Sequence, residues 1–525
     1  MKPAPVLPTL VTSDTPEAIE TSSFNAFPAG RPSLNPSSGQ ESPNRPGSAH
    51  GVRIRPSTPQ RRESSVAVPM SPGRSSFVGT VHDPDSFVPP MGQVDKLWHW
   101  WNKFSSFWIS STFLILVVMW ATAARLIAVI PKWFKGTKPH VYAWDENAKH
   151  WEKENVVKDI AYYARHCGYD IKDETVETQD GYFLRMHRVI NPRHRPGPDG
   201  RGGFPVLILH GLFQSSGSFV TSEERSLAFW LSEHGGYQVF LGNNRAVFGM
   251  GHRHLSRKDP RFWDWTIREL AMYDLPALVE WVCLATGYDK IGFIGHSQGN
   301  GVAFLSLSLG HRPELGEKLS CFIALAPAVF AGPLTHGFPF TVLNKVKWKS
   351  WQRIFGVLDY IPLMRYSYDY VPPLVFSTMG YTMFAFLFEW TDTNWLKRRK
   401  NKMFRFTPTP VSSASIFWWC GEGGFADRQC TMDVDLPQWW DERFPPLAIY
   451  YGGNDYLVAA EPLLERLATK EKHVKVIRAE RVPLSEHCDF YWAADAVEWC
   501  FSSFIEDIEK TRPKTETLVP DLKDD

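Results

Sequence analysis

Cysteine is scarce in this chain of 525 residues: seven are scattered at positions 167, 283, 321, 420, 430, 488 and 500. An odd, dispersed set without close pair spacing excludes a disulfide framework and a thiolate metal site. Cys420 and Cys430 are near enough in sequence to pair, but buried free thiols are the expectation. Charge of one sign is also missing, since 57 Lys and Arg against 56 Asp and Glu leave a formal net charge of +1. That balance gives no footing for nucleic acid or a strongly acidic partner. No glycosylation sequon is usable, because Asn35-Pro36-Ser37 is blocked by its proline, which favours a cytosolic catalytic portion. The first 90 residues lack the apolar core of a secretory signal. Residues 1–95 are rich in Pro, Ser, Arg and Gly and hold too few apolar side chains to offset the entropy of ordering, so they are expected to form a disordered tail. That tail carries Arg61-Arg62-Glu63-Ser64 and the pairs Ser42-Pro43, Thr58-Pro59 and Ser71-Pro72, patterns able to accept phosphate.

Past the tail the chain turns apolar. No charged residue occurs from Phe107 to Ala124, and with Arg125 tolerated the run continues to Ile130. A bilayer needs roughly 20 such residues, so 104–130 is read as one transmembrane segment, with Trp98, Trp100, Trp101 and Trp133 as interfacial rings. Arg125, Lys132, Lys135 and Lys138 outnumber Lys96 and Lys103, which puts the catalytic side in the cytosol. The same orientation requires a long basic tail to cross the membrane. A hairpin would avoid that crossing, yet the run contains no Gly or Pro to turn it, and the orientation stays open.

Beyond the apolar run, strands alternate with helices, the signature of a mostly parallel α/β sheet. A helix is predicted over Asn155 to Cys167 and two strands over Glu174 to Ile190, around Gln179-Asp180-Gly181. The run Pro205-Val206-Leu207-Ile208-Leu209 reads as a strand covered on both faces, and it ends in His210-Gly211-Leu212-Phe213. Tyr237 to Gly242 is a further strand, and Thr266 to about Thr286 has helical periodicity. The central stretch is Ile291 to Asn300, where an apolar strand enters Gly295-His296-Ser297-Gln298-Gly299 and passes straight into a helix. A serine on so sharp a turn is a nucleophile candidate, and a Cβ at Gly295 or Gly299 would clash with the neighbouring backbone. The bland alternative is a turn with serine as filler.

Cys321 to Ala326, Leu447 to Tyr451 and Val474 to Ala479 supply later strands. Asp455 falls just past the end of one and His487 in the loop after another, where α/β enzymes collect function. The order Ser297, Asp455, His487 is that of an α/β-hydrolase triad, with Glu486 and Asp489 as rival carboxylates beside the histidine. The amides of Leu212 and Gln298 are assigned to an oxyanion hole. His210 reads as a turn residue, and His252 with His254 lacks the further donors of a metal site.

Between about 330 and 444 the alternation breaks down into an inserted cap rich in Phe, Tyr and Trp, with the basic run Lys397-Arg398-Arg399-Lys400-Asn401-Lys402. A cap of this kind can exclude water and offer an apolar lip to lipid, with basic residues meeting anionic head groups. The expected organisation is thus a tail over 1–95, the apolar segment over 104–130, an α/β-hydrolase domain over 140–510 with this insertion, and a flexible end over 511–525.

The chain resembles the acid lipase family of α/β-hydrolases, which includes the gastric and lysosomal acid lipases and the fungal steryl ester hydrolases. The resemblance runs from about residue 155 to 505. It is carried by Asp180-Gly181-Tyr182, His210-Gly211-Leu212, Leu241-Gly242-Asn243-Asn244-Arg245, Phe262-Trp263-Asp264, Tyr273-Asp274-Leu275-Pro276, Gly295 to Gly299, Gly452-Gly453-Asn454-Asp455 and His487-Cys488-Asp489-Phe490. It implies Ser297 as nucleophile, Asp455 as acid, His487 as base and Leu212 and Gln298 as oxyanion amides. It also implies hydrolysis of apolar carboxylic esters, with no metal and no organic cofactor. The apolar segment in place of a signal peptide is similar to the membrane-bound fungal steryl ester hydrolases. The expectation is therefore a single-pass serine lipase at the endoplasmic reticulum, lipid droplet or plasma membrane, acting on neutral lipids with steryl esters favoured. A triacylglycerol lipase, an acyltransferase and a non-catalytic lipid-binding or tethering protein on the same fold are the alternatives. Oligomeric state is open.

Overall fold

The computed structural model describes residues 93–135, 142–145, 148–151, 153–194, 202–428, 430–432 and 435–513, with 128–135 as backbone alone. Nearly all of the expected N-terminal tail and of the C-terminal end after residue 513 lies outside the described residues.

An eight-stranded sheet positions everything else. Its strands are β1 (Asp170–Glu177), β2 (Phe183–Ile190), β3 (Pro205–Leu209), β4 (Gln238–Gly242), β5 (Ile291–His296), β6 (Leu319–Leu325), β7 (Leu447–Gly452) and β8 (Val476–Val482). The spatial order is β1-β2-β4-β3-β5-β6-β7-β8. β1 and β2 are antiparallel to their neighbours, and every pair from β4 to β8 is parallel. All residues of β3, β5 and β6 are buried, as unbroken apolar strands with helices on both faces must be. From β3 the chain passes outward to β4 and then returns to β5 on β3's other side. Such a reversal of winding leaves a crevice at the carboxyl ends of the two strands, and Ser297 stands there.

Several elements differ from expectation, and β1 begins at Asp170, four residues before the expected Glu174. β8 runs 476–482 rather than 474–479, because Arg478, Glu480 and Arg481, which look like loop residues, lie along an edge strand where charge is tolerated. The N-terminal helix is only Ile160–His166, since Asp159 caps it by accepting from the Ala161 N–H at 2.9 Å. The helix expected over 266–286 divides into Ile267–Glu269, a wide π-type turn at Leu270–Asp274, and α2 (Leu275–Thr286). Pro276 has no N–H to give and crowds the preceding turn, and Arg312 Nη1 takes up the freed Met272 carbonyl at 3.3 Å.

The widened turn directs Asp274 inward. Arg245 Nε donates to Asp274 Oδ1 at 2.9 Å and its Nη1 to Asp180 Oδ2 at 2.8 Å, so three separate motifs meet in one buried ion triad. Burial works against the Arg245 charge, but the two carboxylates outweigh it and raise its pKa well above the ordinary value.

Between β6 and β7 the chain leaves the sheet and forms helices over the crevice. They include α4 (Trp348–Phe355), α5 (Pro362–Tyr370), α6 (Pro373–Leu387), α7 (Lys397–Met403) and α8 (Ser413–Cys420), numbered after α3 (Gln298–Ser306). Here one expectation is corrected. The basic run over 397–402 is no head-group patch, because Arg399 and Lys402 are buried and Arg398 nearly so. Arg398, Arg399 and Lys402 converge on Glu223 at 2.8, 2.8 and 3.1 Å, Arg398 also reaches Asp145 at 2.6 Å, and Lys400 pairs with Asp392 at 2.6 Å. Burial opposes ionisation of Glu223, yet these cations lower its pKa to about 2. A charge leaves water only where counter-charges replace hydration, and here they tie the insertion to the loop before Leu227.

The apolar run lies within a single helix, α1 (Gln93–Lys135). Its stretch Gln93–Ile127 is long and apolar enough to cross a membrane, and most of its side chains are exposed. No disulfide joins any of the seven cysteines, Cys420 and Cys430 included.

Candidate active site

Ser297 stands between β5 and α3 with φ 52° and ψ −116°, a backbone conformation that side chains rarely adopt. The strain is held by the surroundings: the Ser297 N–H donates to Leu325 O at 3.0 Å, and α3 begins at once with Gln298. A Cβ at Gly299 would lie 2.6 Å from Leu209 O, and one at Gly295 would lie 2.4 Å from Asn300 Oδ1. The clash at Gly299 is with backbone, as the sequence indicated, whereas at Gly295 it is first with the Asn300 side chain, whose Nδ2 is held on Leu325 O at 2.6 Å.

The loops after β7 and β8 bring the other two candidates to the serine. His487 Nε2 is 2.8 Å from Ser297 Oγ, and His487 Nδ1 is 2.8 Å from Asp455 Oδ2. Asp455 is fixed in turn, its Oδ1 accepting from Leu457 N at 3.0 Å and Val458 N at 3.3 Å. All three side chains are buried. In such a line the carboxylate keeps the Nδ1 proton in place, so that Nε2 is free to accept from the hydroxyl. Leu212 and Gln298 both border the cavity above Ser297. As the first residue of α3, Gln298 has an N–H without an intrahelical acceptor.

The rival carboxylates are engaged elsewhere. Asp489 accepts from Trp395 Nε1 at 2.6 Å and Asn394 Nδ2 at 2.8 Å, and Glu486 accepts from Thr391 N at 2.9 Å. His210 is a turn residue: its Nδ1 bonds Gly211 O at 2.8 Å, and burial lowers its pKa to about 4. His252 bonds the Asp180 carbonyl at 2.8 Å, and among the described residues no group of three or more His, Cys, Asp or Glu is arranged to hold a metal.

A model of the α/β-hydrolase fold matches residues 205–494, and one of a partial α/β-hydrolase lipase region matches 160–223. The chain belongs to the α/β-hydrolase family. Among its relatives, Sterol esterase 2 of Saccharomyces cerevisiae is 30% identical over 68% of this chain and 73% of its own length. A probable lipase of Schizosaccharomyces pombe is 29% identical over 65% and 77%, and the human lysosomal acid lipase/cholesteryl ester hydrolase is 25% identical over 68% and 91%. The acid lipase resemblance is thereby shown.

The hydrolase fold surrounds the serine with groups to which the sequence assigned no role. His296 Nε2 lies 2.9 Å from the His487 carbonyl, and its Nδ1 lies 3.1 Å from Tyr491 Oη. Burial and the neighbouring His487 push the His296 pKa well below its ordinary value, so the ring is neutral. A neutral ring that donates from Nε2 to His487 O leaves Nδ1 an acceptor, beside a Tyr491 hydroxyl that also reaches Gln214 Oε1 at 3.0 Å. From the insertion, Trp390 lies nearly parallel to the His487 ring, 6.2 Å between centroids, and Trp419 Nε1 donates to Gln298 Oε1 at 2.9 Å. His296 had a local signal, since it adjoins Ser297. Trp390 and Trp419 had none, because only the tertiary fold brings residues 90 to 120 positions away to the serine. The cavity above Ser297 is almost wholly apolar, walled by side chains such as Phe340, Leu343, Phe384, Trp419 and Phe425.

Proposed function

We propose that this ester hydrolase is a membrane-anchored serine lipase that cleaves neutral lipid esters, steryl esters in preference to triacylglycerols, through an acyl-enzyme on Ser297. The observation that carries the proposal is the hydrogen-bonded line from Ser297 through His487 to Asp455 at the floor of an apolar cavity. His487 takes the Ser297 proton as Oγ attacks the ester carbonyl, then passes it to the departing alcohol. Asp455 holds the imidazole in register and stabilises its charged form. The amides of Leu212 and Gln298 stabilise the developing oxyanion, and water then releases the fatty acid by the same steps in reverse roles. An apolar wall suits a substrate with one polar ester in a large hydrocarbon body. The preference for steryl esters is supported by the names of relatives, a sterol esterase and a cholesteryl ester hydrolase. Anchoring is supported by α1, whose long apolar stretch Gln93–Ile127 leaves Trp108, Leu116 and Trp120 exposed for lipid to cover.

The test is release of sterol and fatty acid from membranes carrying the wild-type chain or Ser297→Ala, offered cholesteryl oleate and triolein side by side. Loss of the nucleophile is expected to lower the rate about a millionfold. Cleavage of triolein alone moves the substrate to acylglycerols. Equal activity in both proteins removes Ser297 from the mechanism.

A further inference from the structure

A tether has no reason to touch the site it tethers, and α1 does touch it. Phe113, Leu114 and Val117, on one side of the helix, border the same cavity as Ser297, His487 and Leu212. Each is half-buried, whereas Ile115 and Leu116 on the opposite side are exposed at 51% and 60%. Residues three and four positions apart share a helix face, so Val117 lies beside both Leu114 and Phe113, and the three form a continuous strip and not three accidental contacts.

The strip is fixed from both ends. On its N-terminal side Asn102 Nδ2 donates to Gln352 O of α4 at 2.9 Å, and Ser106 packs so close to Gly356 that a Cβ there would lie 2.8 Å from its Oγ. Phe113 itself meets Phe355 edge-on at 5.4 Å. On the C-terminal side Arg125 Nη1 donates to Thr382 Oγ1 of α6 at 3.0 Å, and its guanidinium lies 4.4 Å from the Tyr381 ring centre. Between these attachments the helix faces the cavity. Across from it, Phe213 beside the oxyanion loop meets Phe384 at 5.8 Å, so the walls connect from the serine to the helix.

We infer that α1 is a wall of the substrate cavity: Phe113, Leu114 and Val117 contact the hydrocarbon body of the bound ester, so the helix that meets the lipid surface also helps to select the substrate. The inference rests on the proposed lipase reading. It makes α1 a specificity element, and it gives a lipid ester a route into the site alongside the helix, without transfer through water.

The experiment uses the full-length protein in phosphatidylcholine vesicles and reads the ratio of cholesteryl oleate to p-nitrophenyl butyrate turnover. Leu114→Trp and Val117→Trp fill the wall and are expected to lower that ratio by roughly tenfold or more, the scale on which an apolar pocket senses a change of a few carbons. Leu114→Ala, which intrudes on nothing, lowers it in the same direction, and Leu116→Trp on the exposed side leaves it within about twofold. A ratio within twofold in all three wall variants overturns the inference, as does an equal fall in Leu116→Trp, which makes the effect one of membrane seating. A second readout needs no turnover: a cholesteryl ether with a photoreactive tail, uncleavable by any hydrolase, should crosslink to the peptide carrying residues 113–117. Absence of that crosslink also overturns the inference. Crosslinking together with undiminished turnover in Ser297→Ala leaves the wall in place and sinks the catalytic reading instead.

Discussion

The sheet and the helical insertion meet at one serine but are held by different means. β3, β5 and β6 are buried along their whole length, held by backbone ladders that do not depend on particular side chains and by apolar contact that tolerates small changes of shape. The insertion is fixed by directional pieces: cations converging on Glu223, Trp419 donating to Gln298, and Glu486 accepting from Thr391. A scaffold of the first kind keeps the reacting atoms in register. Attachments of the second kind can be broken one at a time, which makes the comparison testable.

The largest effect belongs to the sheet side. Asp455→Asn should leave the fold intact and lower kcat by about ten-thousandfold, because an amide cannot hold the Nδ1 proton of His487 in the productive tautomer. Steady-state turnover of a soluble ester beside unfolding of the same preparations checks this, and a loss of under a hundredfold would remove Asp455 from its role.

Next come the buried ions, where the regions can be compared directly. Glu223→Gln leaves three cations under-compensated beneath the insertion, and Arg245→Met leaves Asp274 and Asp180 without their partner beside the sheet. Breaking a buried pair from one side costs about 3–5 kcal/mol. Both variants should lose stability on that scale in denaturant titrations. If the regions differ as described, Glu223→Gln should in addition change kcat before global unfolding, and coincident loss of activity and structure in both would erase the distinction.

The same contrast governs what is legible in the sequence. β3 and the elbow at Ser297 can be read because burial on both faces demands an apolar run and a sharp turn demands glycine, and both are local requirements. β8 is misplaced by about two residues because Arg478 and Glu480 resemble a loop when the Asp507 carboxylate 2.9 Å from Arg478 Nε is not in view. The basic run over 397–402 misleads for the same reason: its counter-charge, Glu223, lies over 170 positions away. Asp455 and His487 stand out by position after a strand, a topological rule, whereas Trp390 and Trp419 obey none.

A smaller effect is expected where the insertion touches α3. Trp419→Phe keeps the ring and deletes the bond to Gln298 Oε1, a contact worth about 1 kcal/mol, or roughly fivefold in rate if it steadies the Gln298 amide. The fall should appear in kcat and not in KM. A change confined to KM would make Trp419 a wall of the cavity and nothing more.

The smallest effect separates the two regions by pH. Burial is the chief cause that pushes the Glu486 carboxyl up from 4.5 to about 7, against the opposing hydrogen bonds from Thr391. A proton held more tightly in the folded state than in the unfolded chain stabilises the fold fully below pH 4.5, and that contribution is lost as pH rises through about 7. Glu486 is partly exposed, so solvent screening keeps the magnitude to about 1 kcal/mol or less. Glu486→Gln removes this titration without changing shape, and its stability relative to wild type should rise between about pH 4.5 and 8. Parallel stability curves for the two proteins would show that the contact between Thr391 and Glu486 carries no proton linkage, and that the insertion is attached here by shape alone.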